Sequence, residues 1–294
     1  HNYIELRSYP EIRFGLDELA KHQAVRIRPE LQLYSWRNQT DDGGEGEVRA
    51  RQHFGIYIVG QNRLARALLV TLQSAGFLLT RIINANLPSQ SSIRIQPSDI
   101  CGIFTKPTDI GRRKLELHQE IAKSSQLPQF TRFSEKDLEN GNTEQVSLII
   151  STSQARPDNI QQWLSEGIPH IQIWQPTYHS LEIGPLVVPG AQACLNCIEL
   201  HRRDYLPPFI NLSFTQNEGE PRELTAASTS FVAGAMTPYI CEYAARGLSP
   251  LMSHSLTIDL LEPLHGIRMH HWNIHPECGC SSSNQPRTSH SSLL

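Results

Sequence analysis

Short apolar runs alternate with helical patterns along the first two thirds of the chain. The run from Phe54 to Gly60, FGIYIVG, is continuous and rich in β-branched and aromatic residues, which predicts a buried parallel strand. From Arg63 to Ala75 leucines recur at helical spacing, Gly76 ends the pattern, and a second apolar run extends from Leu78 to Ile83. A strand, a tight turn, a helix and a strand within about 30 residues predict a right-handed βαβ unit.

The same alternation continues as far as Trp174. It predicts a helix over about 109–125, and a second helix that begins at Pro157 and ends at Gly167. It also predicts three strands, at Gln129–Phe133, Val146–Thr152 and His170–Trp174. Repeated α and β elements of this kind predict an α/β fold with a Rossmann-like doubly wound sheet.

After Ser180 the alternation ends, because SLEIGPLVVPG is interrupted by glycine and proline and leads into CLNCIELHRRD. Thr225 to Arg246 predicts one long helix, which Gly247 ends. Two strand-like runs, Ser255–Leu261 and Ile267–Trp272, predict a β-hairpin that leads directly into HPECGC.

These changes of pattern divide the chain into four parts. We expect an N-terminal segment over 1–50, a nucleotide-binding-type Rossmann domain over 51–183, a C-terminal part over 184–280, and a disordered tail over 281–294. Residues 41–47, 213–223 and the tail are polar, and so little apolar area cannot offset the entropy of ordering. No internal repeat is visible.

Composition and charge exclude several classes of protein. The chain has 294 residues, 39% of them hydrophobic and 19% charged, which is ordinary globular composition. A net charge of -3 argues against binding to nucleic acid or to a membrane surface, and no apolar run approaches the roughly 20 residues of a membrane span. No secretion signal is visible, and a start at His1 indicates that a few residues are missing. We therefore expect a cytoplasmic protein.

Four of the six cysteines form two close pairs, Cys194-x-x-Cys197 and Cys278-x-Cys280. Four thiolates are what a closed tetrahedral zinc site requires, and each pair lies beside glycine or proline. The pairs are about 80 residues apart, so a shared ion would tie the chain end to its middle. We expect a structural zinc with no position open for catalysis.

Two alternatives to this zinc site remain open. In the first alternative, the four thiols bind no metal and one of the pairs is redox-active. In the second, His275 takes the place of one cysteine in the zinc ligand set. We expect Cys101 and Cys241 to be buried as small apolar residues.

The turn after the first strand, GQNRLA, stands where dinucleotide-binding folds carry G-x-G-x-x-G/A. Only Gly60 and Ala65 fit that template, and Asn62 places a Cβ where a phosphate should approach the backbone. The acidic residue that would hold a ribose hydroxyl is also absent, because Asn84 and Asn86 occupy that place. We expect a structural turn rather than an intact NAD or ATP site.

Several other polar groups have simpler explanations than catalysis. His270 and His271 would face opposite sides of a strand, and residues 201–204 are typical of a solvated helix face with local ion pairs. Residues 228–230 contain hydroxyls, but no Ser/His/Asp order indicates a triad.

Four segments together carry a resemblance to a known family. GIYIVGQNRLARALLVTLQSAG, ISTSQARPDNIQQWLSEGIPHI, GPLVVPGAQACLNCIELHRRD and HPECGC, in this order, resemble the ThiF/MoeB superfamily, which shares the fold of ubiquitin-activating enzymes. The sequence is most similar to actinobacterial ThiF-like proteins and to the cyclodehydratase partner proteins of azole-peptide (bacteriocin) biosynthesis. The resemblance covers roughly residues 51–280 and implies zinc at the four paired cysteines.

Active members of that superfamily use ATP to adenylate a C-terminal carboxylate, so the resemblance implies an ATP site. Lys114 matches the family lysine that contacts ATP phosphates, and Arg94 is the candidate replacement for a family arginine. The ribose-binding Asp corresponds to Asn84 or Asn86, and the magnesium-binding Asp to Ser153, followed by Gln154 in place of Asn. Loss of that carboxylate removes a hard oxygen ligand for magnesium, and residues 205–230 contain no cysteine that could form a thioester.

These replacements predict a ThiF-like protein with a degenerate ATP site and no catalytic residue of its own. Its expected role is a scaffold or substrate-presenting partner for a peptide or ubiquitin-like carrier protein, with ATP chemistry in a separate modifying enzyme. Residues 1–50 would correspond to a reduced peptide-binding module, and the resemblance implies a homodimer. The alternatives are an active ATP-dependent adenylyltransferase and an NAD-linked oxidoreductase.

Overall fold

The protein is described from a computed structural model, which covers residues 28–34, 44–83, 94–101, 104–125, 146–205, 223–263 and 265–280. Mixed α and β elements build one seven-stranded sheet with helices on both faces. The strands are β1 (Gly55–Val59), β2 (Thr80–Ile83), β3 (Val146–Ser151), β4 (His170–Thr177), β5 (Ser180–Val187), β6 (His254–Asp259) and β7 (Ile267–His271). The helices are α1 (residues 28–34), α2 (Glu45–Gln52), α3 (Arg63–Ser74), α4 (Lys114–Ser125), α5 (Pro157–Ser165), α6 (Leu195–Tyr205) and α7 (Ala226–Arg246).

The strand order in the sheet is β2-β1-β3-β4-β5-β6-β7. The first four strands are parallel, as buried crossover-connected strands require, and β5 to β7 are antiparallel to their neighbours. The predicted βαβ unit and the predicted hairpin are both confirmed. This mixed sheet fits a Rossmann-like fold.

One face of the sheet carries the main hydrophobic core. Alternate strand residues such as Ile56, Ile150 and Ile173 point to this face, where they are buried against α3 and α7. Helix α7 begins after Thr225, whose side chain accepts a hydrogen bond from the Ser228 N–H, and it ends at Gly247 in a left-handed conformation (φ 67°). Both ends of this helix lie where the sequence predicts them.

The other face is covered in two separate places. Helix α5 packs through Trp163 on Val59 and Ile149, and α6 packs beside Val187 and Trp272. Between these two helices a cavity of about 620 Å³ lies over strands β4 and β5.

The structure differs from the sequence-based prediction in two elements. β5 lies in SLEIGPLV, where glycine and proline indicated an irregular segment, because it is inserted between β4 and β6 and pairs with both. The helix expected over 109–125 begins at Lys114, because Pro107–Asp109 forms a separate 3₁₀ turn. The predicted strand Gln129–Phe133 lies outside the described residues, as do the tail and most of the N-terminal segment. Among the described helices, none has the length and apolar character needed to cross a membrane.

Candidate functional site

The four paired cysteines meet beside α6. Cys194 immediately precedes the helix and Cys197 lies in its first turn, while Cys278 and Cys280 follow β7. Three of the four side chains are buried in the small core around α6, and Cys280 is partly buried. The fold therefore joins two sequence pairs that lie far apart in the chain.

The four sulfur atoms all lie within 4.8 Å of one another. The Cys194–Cys278 separation is 3.6 Å and the Cys197–Cys280 separation is 3.4 Å, and no disulfide joins any of the six cysteines. Burial raises the pKa of Cys194. Burial also acts to raise that of Cys278, but the Asn196 amide and neighbouring groups outweigh it and lower this pKa to about 7. Such a buried cluster of sulfur ligands could hold a metal ion.

The histidines near this cluster have other partners. His275 Nε2 lies 2.8 Å from Asp204 Oδ2, and its Nδ1 accepts a hydrogen bond from the Glu277 N–H. Both ring nitrogens are therefore engaged away from the sulfur atoms. His271 contacts His254 and His270 contacts Trp272, so the adjacent pair on β7 turns to different neighbours.

The turn between β1 and α3 is closed by contacts with the chain that follows β3. Gly60 has a positive φ of 136°, and a Cβ at this position would lie 2.1 Å from Thr152 Oγ1. Asn62 Nδ2 donates to the Thr152 carbonyl at 2.7 Å, while Asn62 Oδ1 accepts from the Ala65 N–H at 2.9 Å. Asn62 is thus the N-cap of α3 and a bridge between two strand ends.

Lys114 lies at this turn, but it is paired with an acidic side chain. Its Nζ is 2.9 Å from Asp99 Oδ1 and donates to the Gln61 carbonyl at 3.3 Å. Asp99 Oδ1 also accepts from Arg66 Nη2 at 2.9 Å, and both Arg66 and Asp99 are almost fully buried. One carboxylate therefore holds two cations.

Burial and the charges around Asp99 together set the ionisation of Asp99 and His118. Burial alone would raise the pKa of Asp99, but the Gln96 N–H, Lys114 and Arg66 outweigh it and lower the pKa below its usual value of 3.8. Burial, helped by Arg66 and Lys114, lowers the pKa of His118 to about 3. At neutral pH Asp99 is charged and His118 is neutral.

The amino end of α3 is also engaged by a carboxylate. The Arg63 N–H donates to Glu223 Oε2 at 2.9 Å, and the Arg63 side chain donates to the carbonyls of Ser98 and Leu224. Burial raises the pKa of Glu223, an effect that the Arg63 N–H opposes. A helix amino end attracts anions, and here a side chain of the same protein supplies one.

The remaining candidate residues are placed as follows. Arg94 pairs with Arg113 in an isolated bridge and donates to the Gly111 carbonyl at 2.7 Å. The Ser153 carbonyl accepts from Ser151 Oγ at 2.8 Å, and Asn84 and Asn86 lie outside the described residues.

Sequence reasoning missed Asp99, Arg66 and Glu223, although they dominate the electrostatics of the turn. The segment QPSD does indicate a turn in which the Asp caps its own backbone, and Gln96 N does donate to Asp99 Oδ2 at 2.8 Å. Its contacts with Arg66 and Lys114 have no sequence signal, because these side chains arrive from α3 and α4.

Solved structures with the same fold were found. No protein-family profile matches the chain, and no curated protein matches it. Escherichia coli MccB with MccA has a TM-score of 0.62 at 13% identity, covering 87% of this chain and 74% of that chain. Escherichia coli MccB with ATP has a TM-score of 0.59 at 13% identity, covering 82% and 70%. PaaA has a TM-score of 0.58 at 15% identity, covering 87% and 75%.

These similarities define the fold. The chain has the ThiF/MoeB-like fold shared by MccB and PaaA, over most of its length. This confirms the fold that the four sequence segments indicated.

Proposed function

We propose that this protein is a ThiF-like member of the adenylating superfamily that has lost ATP chemistry and presents a peptide or carrier protein to a separate modifying enzyme. The observation that carries the proposal is that the charged groups of the β1–α3 turn contact one another. Asp99 holds the cations that would face phosphates, and Glu223 holds the helix amino end.

The residues at the turn do not fit the phosphates of ATP. A phosphate at the amino end of α3 would have to displace Glu223 from the Arg63 N–H, and Lys114 and Arg66 would have to leave Asp99 to contact it. Asn62 stands at the second glycine of the fingerprint, where the backbone should approach a phosphate, and its side chain is held by Thr152 and Ala65. Ser153 supplies no carboxylate for magnesium. We therefore assign no catalytic step to ATP in this chain.

The four cysteines fit zinc, which we propose as their ion. Tetrahedral zinc with Zn–S bonds of about 2.3 Å places its sulfur atoms about 3.8 Å apart. The Cys194–Cys197 and Cys194–Cys278 separations, 3.8 Å and 3.6 Å, support that geometry. Four protein ligands leave no position for substrate, so the role is structural: the ion ties the segment after β7 to α6.

A peptide partner is supported by the proteins that share the fold. MccB is a Microcin C7 biosynthetic enzyme and was solved in complex with MccA. We extend this to a peptide-binding role here, with residues 1–50 as a reduced peptide-binding module, 51–183 as the Rossmann unit and 184–280 as the zinc-stapled part. We also propose that the protein forms a homodimer and that it is located in the cytoplasm.

Two assays on the purified, zinc-loaded protein test the proposed loss of ATP chemistry. Calorimetric titration with Mg-ATP measures binding, and pyrophosphate exchange in the presence of candidate peptides measures adenylation. We expect no binding up to millimolar ATP and no exchange. Glu223→Gln is a useful comparison, because it removes the charge at the helix amino end and should move ATP affinity upward if that charge excludes phosphate. Micromolar binding with exchange by the parent protein would overturn the proposal.

An active adenylyltransferase is the second candidate, favoured by one observation. Lys114, the match to the family lysine, does lie at the turn, 3.3 Å from the Gln61 carbonyl. Exchange activity that is lost in Lys114→Ala and retained in Lys106→Ala, a change in the preceding 3₁₀ turn, would support this candidate.

A further inference from the structure

The cavity between α5 and α6 is a second candidate site, lined by none of the described turn residues after β1 but by Gln154 and Ala155 after β3. Its volume is about 620 Å³, within the range of small-ligand sites. β4 and β5 form its floor, the two helices form its walls, and residues 278–280 also line it. A segment of peptide two or three residues long is of this size.

The floor of the cavity differs from the opposite face of the same strands. On the core face, β4 and β5 present Ile173, Leu181 and Ile183, which are all buried. On the cavity face they present Gln172, Trp174, Glu182 and Gly184. A sheet face that is covered by helices normally carries apolar side chains, so the polar pair on this face requires an explanation.

Two buried polar side chains on this floor have unused hydrogen-bonding capacity. Gln172 is 8% exposed, and its Oε1 accepts from the Ala155 N–H, but its Nε2 has no partner within the described ranges. Glu182 is 6% exposed, and one of its oxygens accepts from Arg202, while Oε2 has no partner there either. The cavity therefore offers a ligand one amide donor and one carboxylate acceptor.

The charges around the cavity favour a cationic ligand. Arg202 contacts Glu182, and its other terminal nitrogen lies 4.0 Å from a carboxylate oxygen of Glu199. Among the described residues that line the cavity, two carboxylates face one guanidinium, so one negative charge lacks a cationic partner there. Ile160, Leu164 and other apolar side chains on the two helices provide walls that an apolar group of the ligand can contact.

We propose that this cavity binds a peptide segment in which a primary ammonium group lies next to an apolar side chain. The ammonium donates to Glu182 Oε2, and a peptide carbonyl accepts from Gln172 Nε2. The choice of a peptide rests on the proposed function, whereas the requirement for an ammonium group rests on the cavity alone. The ammonium comes from the peptide amino terminus or from a lysine side chain.

Three short peptides test this proposal and separate the two sources. Leucyl-leucine amide carries an amino-terminal ammonium, N-acetyl-leucyl-lysine amide carries a lysine ammonium, and N-acetyl-leucyl-leucine amide carries neither. Binding is measured by calorimetry and by saturation-transfer NMR on the zinc-loaded full chain. We expect one of the two ammonium peptides to bind about tenfold more tightly than the neutral peptide, because a hydrogen bond to a charged group is gained.

Glu182→Gln should remove that preference, since the amide keeps a hydrogen-bond acceptor but loses the charge. Glu262→Gln is the matched control, because it makes the same change at an exposed site between β6 and β7, and it should leave the preference unchanged. If Glu182→Gln does not fold, as judged by its melting curve, Ile160→Trp fills the cavity from its wall and should abolish binding.

Equal affinity for all three peptides, or an unchanged preference in a folded Glu182→Gln, would overturn the proposal. The outcomes also separate it from the proposed function. If the protein binds the ammonium peptides and also turns over ATP, the proposed cavity site is retained and the proposed scaffold function is rejected. Failure of every peptide to bind, with no ATP binding, would reject the cavity site and leave the scaffold standing.

Discussion

The cysteine cluster and the β1–α3 turn both bring ionisable groups together in buried positions, but the two sites differ in the partners of those groups. Around Asp99 the opposite charges belong to the protein itself, because Arg66 and Lys114 contact one carboxylate. At the cluster, four sulfur atoms lie within 4.8 Å of one another, and the Asn196 amide donates to one of them.

This difference underlies the two proposals, a metal ion at the cluster and no phosphate at the turn. Thiolates brought together repel one another, and a cation is the simplest way to relieve that repulsion. A turn whose donors and cations are already satisfied gains little from a phosphate and must first lose its internal contacts. Both centres lie in a fold that the ThiF/MoeB-like superfamily shares, so a shared fold does not fix what a turn binds.

The largest expected effect is on the cluster. Cys197→Ser removes one ligand, and we expect a loss of about 5 kcal/mol or more in the free energy of unfolding, because binding of a structural zinc is itself folding free energy. Urea denaturation with and without a chelator measures it, and the chelator should affect only proteins with an intact cluster. Cys101→Ser, at another buried cysteine, is the control and should stay chelator-sensitive. Equal losses in both variants without metal dependence would contradict a metal site.

The second effect concerns the internal ion pairs. Asp99→Ala leaves Arg66 and Lys114 without their carboxylate, and we expect a loss of about 3–5 kcal/mol. Asp109→Ala is a closely matched control, because Asp109 caps the same kind of 3₁₀ turn but pairs with the partly exposed Arg112. Its loss should be about 1 kcal/mol, measured by the same denaturation. Similar losses in both variants would mean that the buried cations do not depend on Asp99.

The third effect is a dependence on pH that arises from His118. Its pKa falls from 6.5 to about 3 on folding, so the unfolded chain takes up the proton first as pH falls. Stability from this group is therefore complete above about pH 6.5 and declines below it, by about 2 kcal/mol at pH 5. His118→Gln should flatten the stability curve between pH 7 and pH 5 by that amount. Parallel curves for the two proteins would show that His118 is not buried in a neutral state.

The sequence predicts the cluster better than the turn, and the reason is the range of the contacts. Each cysteine pair is visible because its members lie two or three residues apart, and only the meeting of the pairs requires the fold. Glu223 lies 160 residues from Arg63, and no local pattern indicates their contact. β5 was missed for a related reason: strands on both sides stabilise it despite Gly184.

The smallest expected effect is at Asn62, and it tests whether the turn is complete without a ligand. Asn62→Ala removes the cap of α3 and the bridge to the Thr152 carbonyl, so we expect a loss of about 1–2 kcal/mol. Asn62→Ser retains a capping oxygen but lacks the amide donor, and should lose about 1 kcal/mol or less. Because these bonds lie within the protein, millimolar Mg-ATP should leave all three melting temperatures unchanged. Stabilisation by Mg-ATP in the parent that disappears in Asn62→Ala would mean that the turn still binds phosphate, and that the contrast with the cluster is one of degree.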